Sequence, residues 1–133
     1  MTATDPSSDT RSTAALWLPP FFAMALIFIL SSSSLPPLRV PFPYSDKLAH
    51  FTIFGVLSFL LGRAAGGSWG WSWFRVACVA VMVRSLYGIS DEWHQSHVKG
   101  RSVEVADWIA DTLGAVIAQA VLYWFYGRRN PGR

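Results

Sequence analysis

Apolar and polar positions alternate in blocks along this chain, not residue by residue. After a polar opening, MTATDPSSDTRSTAA, a run from Leu16 to Ser34 is long enough to cross a bilayer core as a helix. Further apolar runs cover Leu48 to Leu61, Phe74 to Ile89 and Val105 to Phe125. The two middle runs are short for a crossing and need polar residues at their ends to complete it. Pro19 and Pro20 fall in the first turn of the first run, where backbone N–H groups have no intrahelical partner to lose. LPPLRVPFPY has four prolines and is expected to be a loop. GRAAGGSWGWSW reads as a glycine-rich link studded with tryptophan, suited to the headgroup layer.

The pattern predicts an all-α integral membrane bundle of four transmembrane helices. It divides the chain into a disordered polar tail (residues 1–15), the four-span domain (16–126) and a basic C-terminal tail (127–133). A rival reading makes the first run a cleaved leader. Asp5 and Asp9, with only Arg11 for positive charge, form a poor basic region ahead of it.

Composition supports the membrane reading. Charged residues are 14% of the chain and hydrophobic ones 52%, too little charge to keep a conventional surface wet. The net charge of +3 is spread out, with no basic stripe, so nucleic acid is not an expected partner. Cys78 is alone, which excludes an internal disulfide, and it is expected to be a buried small hydrophobe. Lys and Arg set the expected orientation. Four spans put Arg11, Arg63, Arg75, Arg128, Arg129 and Arg133 on one side, against Arg39, Lys47, Lys99 and Arg101 on the other. Both termini are therefore expected in the cytoplasm, in a multi-pass protein of the cell membrane.

That topology gathers polar residues at one face. The first span ends there with Ser31 to Ser34, the second begins with SDKLAHF, the third ends with SDEWHQ and the fourth begins with VEVADWIAD. Asp46 and His50 share a helical face, as do Arg84, Gly88, Asp91 and Gln95 on the third helix and Asp107, Asp111, Gly114 and Ala118 on the fourth. Charges in a membrane segment face the bundle interior, because facing lipid is costly. Rise per residue places His50, Glu92 and Asp107 in an upper layer and Arg84 beside Asp111 roughly 10 Å below the rim. Arg84 and Asp111 are expected to form a structural ion pair.

ILSSSS, DKLAHF and YGISDEWHQSHVKGRSVEVADWIADTLGA, in that order, resemble the signatures of the VanZ-like membrane proteins, named after a teicoplanin-resistance accessory protein. The resemblance spans Phe28 to Ala118 and implies a small multi-span envelope protein without a settled biochemical activity. Asp46, Lys47, His50, Glu92, Gln95, Arg101, Asp107 and Gly114 match the family pattern. Asp111 stands where the family usually has Asn, and Arg84 is not part of the pattern.

Three functions compete for the cluster. As a catalytic site, His50 and Glu92 would exchange protons while Asp107 orients the histidine. Lys47 and Arg101, with Asp46 and Gln95, would bind an amphiphilic envelope ligand: a lipid-linked wall precursor, a phospholipid headgroup or a glycopeptide. As a metal site, His50, Glu92 and Asp107 would hold a divalent ion, although the spacing is not that of H-E-x-x-H. His94 and His97 could add ligands but read more simply as solvated loop residues. No metal or other cofactor is the main expectation, with membrane lipids as the general partners. As a scaffold, the polar network would only lock helices together.

Overall fold

The protein was described from a computed structural model, which covers residues 6–33, 43–101 and 104–129. Side chains are described from residue 13 to residue 128 within those ranges. Ser34, the proline-rich loop with Arg39, and Arg133 lie outside the described residues. The elements are α1 (Pro6–Ser31), α2 (Ser45–Trp69), α3 (Trp73–Gln95) and α4 (Val105–Phe125), followed by a single 3₁₀ turn (Gly127–Arg129). No strand occurs among the described residues. All four helices contain a segment long and apolar enough to cross a membrane. At 1.5 Å per residue, even α4, at 21 residues, spans the roughly 30 Å hydrocarbon core.

Helix boundaries differ from the sequence expectation in two places. α1 starts at Pro6, ten residues before its apolar run and inside the segment expected to be disordered. Once a helix is nucleated, each added residue gains a hydrogen bond for one further ordered unit, so polar turns extend readily from a stable span. α2 likewise continues through Gly62, Gly66 and Gly67 to Trp69, which shortens the expected glycine-rich link to residues 70–72. These glycines serve packing. A Cβ at Gly62 would meet the Gln119 amide, and one at Gly66 would meet the Trp73 ring at 3.1 Å. The stop comes at Gly70, whose left-handed backbone (φ +60°) closes the helix.

α2 is the centre of the bundle. It packs most extensively on α4, then on α3 and α1, while α1 and α3 meet through side chains with little close backbone approach. The α2–α4 approach is close because Gly55 and Gly114 face it. A Cβ on Gly114 would lie 2.2 Å from the Phe51 carbonyl oxygen. Ile27, Phe54, Leu57, Leu61 and Ala80 form the apolar core, with Trp17, Met24, Val83 and Tyr87 packed around it. On α3 the buried positions are Val76, Ala80, Arg84, Gly88, Asp91 and Gln95, the stripe expected from helical spacing. Large apolar side chains such as Phe22, Phe74, Leu86 and Trp124 point outward instead, as lipid-facing residues do. Cys78 belongs to that outer surface and is exposed, not buried as expected. It lies on α3's outward side, away from the Val76–Ala80–Arg84 stripe.

The tryptophans mark the bundle's ends. Trp17, Trp69 and Trp71 pack in series, with ring centroids 5.2 and 4.6 Å apart, and Trp17 Nε1 donates to Ser68 Oγ. Trp93 and Trp108 lie at the opposite end, where the polar residues gather.

Candidate functional site

The C-terminal ends of α1 and α3 and the N-terminal ends of α2 and α4 meet at one end of the bundle. Contacts between them are polar. Ser31 Oγ donates to Asp91 Oδ1 at 2.5 Å, and Gln95 Nε2 donates to Asp91 Oδ2 at 2.8 Å. Ser32 Oγ lies 2.9 Å from His94 Nε2, and the His94 ring stacks on Phe28. In the turn after α3, Gly100 adopts a left-handed conformation (φ +89°). Arg101 follows, and its Nη2 donates to the Leu30 carbonyl oxygen at 3.0 Å. Arg101 therefore adds a second donor to a carbonyl at the end of α1 that already accepts the Ser33 N–H. Arg101 thus ties the loop after α3 to α1, while Gln95, bonding within α3, holds the Asp91 carboxylate that accepts from Ser31 on α1.

The lower layer is buried and centred on Arg84. Its guanidinium is fully buried, with Nη2 at 2.8 Å from Asp111 Oδ2, an ion-pair contact outside hydrogen-bond angles. Nη1 donates to Thr112 Oγ1 and Ser85 Oγ, and the guanidinium carbon lies 4.8 Å from the Phe54 ring centroid. Asp111 uses its other oxygen on His50, whose Nδ1–H donates to Oδ1 at 3.1 Å. One carboxylate thereby joins α2, α3 and α4.

The upper layer is more open. Lys47 Nζ reaches Asp46, Glu104 and Asp107 at 2.8, 2.6 and 2.7 Å. Asp46 is exposed, and its role is to share that ammonium at the start of α2. Asp107 is buried and presents Oδ2 at 3.9 Å from His50 Nε2. Donor atoms of His50, Glu92 and Asp107 all lie within 4.8 Å of one another. Glu92 Oε2 is buried with no hydrogen-bond partner. His50 keeps 22% of its side-chain surface accessible, so the group opens to the surroundings at the rim.

The VanZ/LLP1 family model matches residues 4–126, nearly the whole chain. The chain belongs to the VanZ/LLP1 family. No curated protein and no solved structure matches it. The family assignment and the four apolar helices together make this VanZ/LLP1 member a multi-pass membrane protein.

The structure arranges the expected site residues differently in three respects. Asp111, not Asp107, holds His50, because the one-turn step between the two carboxylates places Asp111 level with Nδ1. Lys47 is surrounded by three carboxylates and so is not a free anion-binding cation, while Arg101 donates to the Leu30 carbonyl and keeps its buried Nε without a hydrogen-bond partner. His94 bonds to Ser32 on α1, and His97, in the turn after α3, to the Trp93 carbonyl, both outside the His50 group. Glu104 was not singled out from sequence. Its position beside the fourth helix start, three residues before Asp107, is the signal that could have found it.

Two cavities lie away from these residues. One of about 250 Å³ is at the opposite end, among Leu16, Arg63, Trp71 and Tyr126. An apolar groove of about 870 Å³ runs between α3 and α4, past Phe74, Met82 and Val116.

Proposed function

We propose that this VanZ/LLP1 protein binds an amphiphilic envelope ligand at the rim formed by His50, Glu92 and Asp107. Both termini would be cytoplasmic, so that the rim faces the outer leaflet of the cell membrane. The observation that carries the reading is the convergence of those three side chains, from three helices, at a partly open end of a membrane bundle. Intramembrane ionisable groups are expensive to place and are retained at binding and transfer sites. A headgroup would meet the rim while its apolar chains stay in lipid along the exposed helix faces. With Lys47 already engaged by three carboxylates, the His50, Glu92 and Asp107 rim offers carboxylate acceptors and one imidazole. It therefore suits a headgroup rich in hydroxyl, amine or amide donors, such as a lipid-linked sugar or peptide.

A scaffold reading has support from one observation, the buried Arg84–Asp111–His50 chain across three helices. That chain lies below the rim, and the two roles divide between the layers. Native mass spectrometry in a mild detergent tests the binding role, with wild type beside His50→Ala and Glu92→Gln. A lipid-mass adduct retained by wild type and lost in both equally stable variants supports it. Bare wild-type protein, or an adduct indifferent to both substitutions, leaves the scaffold as the function.

A further inference from the structure

We propose that His50, Glu92 and Asp107 form a binding site for a divalent transition-metal ion of the zinc type. The argument rests on geometry. Three donor types suited to such an ion, one imidazole and two carboxylates, stand within 4.8 Å of one another on α2, α3 and α4. His50 is prepared for ligation by the group behind it. With Nδ1–H given to Asp111 at 3.1 Å, the ring carries its free lone pair on Nε2, which faces Asp107. A carboxylate holding the far nitrogen of a histidine is the usual outer support of a histidine ligand. Here that support is itself anchored by buried Arg84.

The remaining donors are poised in the same way. Glu92 Oε2 is buried without a hydrogen-bond partner, a costly state for an acceptor that a metal bond would relieve. Asp107 turns Oδ1 to Lys47, leaving Oδ2 on the side of His50. Donors on a tetrahedral ion lie roughly 3.3 Å apart, so the 3.9 Å between Nε2 and Oδ2 must close by about half an ångström, and spacings within the group of up to 4.8 Å by up to about 1.5 Å.

Charge points the same way. Among the described residues, Lys47 pairs with Asp46, Glu104 and Asp107 and Arg84 with Asp111, so two obligate cations serve these four carboxyl groups while Glu92 stands beside them. The neighbouring trio of Asp46, Glu104 and Asp107 is a different case. The Lys47 ammonium sits within 2.8 Å of an oxygen from each, where an ion would have to be. Three protein donors leave a coordination position open. That it receives an oxygen of a ligand headgroup rests on the function proposed above; the ion site itself does not.

The test uses the full chain in detergent, stripped with a chelator, freed of lipid and titrated with Zn²⁺ alone. Wild type is expected to bind one equivalent. Glu92→Gln and Asp107→Asn each weaken binding by more than about tenfold, while a His94→Gln/His97→Gln double variant retains it. Thermal unfolding of each apo variant reports folding separately. Should Asp107→Asn fail to fold, Glu92→Gln decides, because its buried Oε2 makes no hydrogen bond that the substitution would remove. No stoichiometric Zn²⁺ in wild type overturns the proposal. So does binding that ignores Glu92→Gln, or that disappears in the His94/His97 variant. Because no amphiphile is present, failure here leaves the native mass spectrometry result to stand or fall alone.

Discussion

The two polar layers are about one helical turn apart and are built from the same residue types, yet they are finished differently. In the lower layer Arg84 and Asp111 are both buried, and Asp111 is engaged through both oxygens. In the upper layer Lys47 is shared three ways, Glu92 Oε2 has no partner and His50 is partly open. The difference lies in what each layer is surrounded by. Deep in the bundle no water is at hand, so every charge needs a protein partner or the helices do not assemble. At the rim solvent or a ligand can complete a half-satisfied group. The lower layer, closed off and ion-paired, suits holding helices in register; the partly open upper layer suits binding.

Substitutions should separate the layers by the size and kind of their effect. The largest loss of stability is expected from Asp111→Ala, which strands Arg84 and costs about 3–5 kcal/mol in thermal or denaturant unfolding in detergent. An Arg84→Leu/Asp111→Ala double variant should recover much of that loss. Additive losses would mean that the two are not paired. Next comes Gly114→Ala, which drives a methyl into the Phe51 backbone and costs about 3 kcal/mol. Because it pushes α4 from α2, it should also weaken rim binding, which a purely local defect would not.

Ser31→Ala removes the hydroxyl that joins α1 to Asp91 and is expected to cost about 1–2 kcal/mol. Rim binding should survive it, since Asp91 and Gln95 lie outside the His50 group. The smallest loss of stability belongs to Glu92→Gln, which removes the charge of a carboxylate whose buried Oε2 has no hydrogen-bond partner and should leave stability unchanged or raised in the same unfolding measurement. Its effect should appear in ligand or ion retention instead. A large loss of stability from Glu92→Gln, with retention unchanged, would erase the contrast between the layers.

Much of this architecture is written in one dimension. Four apolar runs determine four spans, because a backbone in lipid must satisfy its own hydrogen bonds and the helix does so within each segment. Spacing of three and four residues along α3 determines the buried stripe of Arg84, Gly88, Asp91 and Gln95. Depth counted from the helix ends puts Arg84 beside Asp111, the contact found at 2.8 Å. Helix limits were less legible. Pro6 and Trp69 lie beyond the apolar runs, where helix propagation and packing of small residues carry the chain onward.

Only the tertiary structure decided which partner each polar atom has. A one-turn step separates Asp107 from Asp111, and pattern alone gives His50 either of them. The choice follows from how closely and at what height α4 lies against α2, set by Gly55 and Gly114 against opposing backbone. The fates of Lys47 and Arg101 were decided in the same way. The sequence determined that they are cations at the rim, whereas their positions among three carboxylates and on the α1 carbonyl depend on where other helices end. Periodicity is a property of one helix, while register between helices is a property of the packed surfaces.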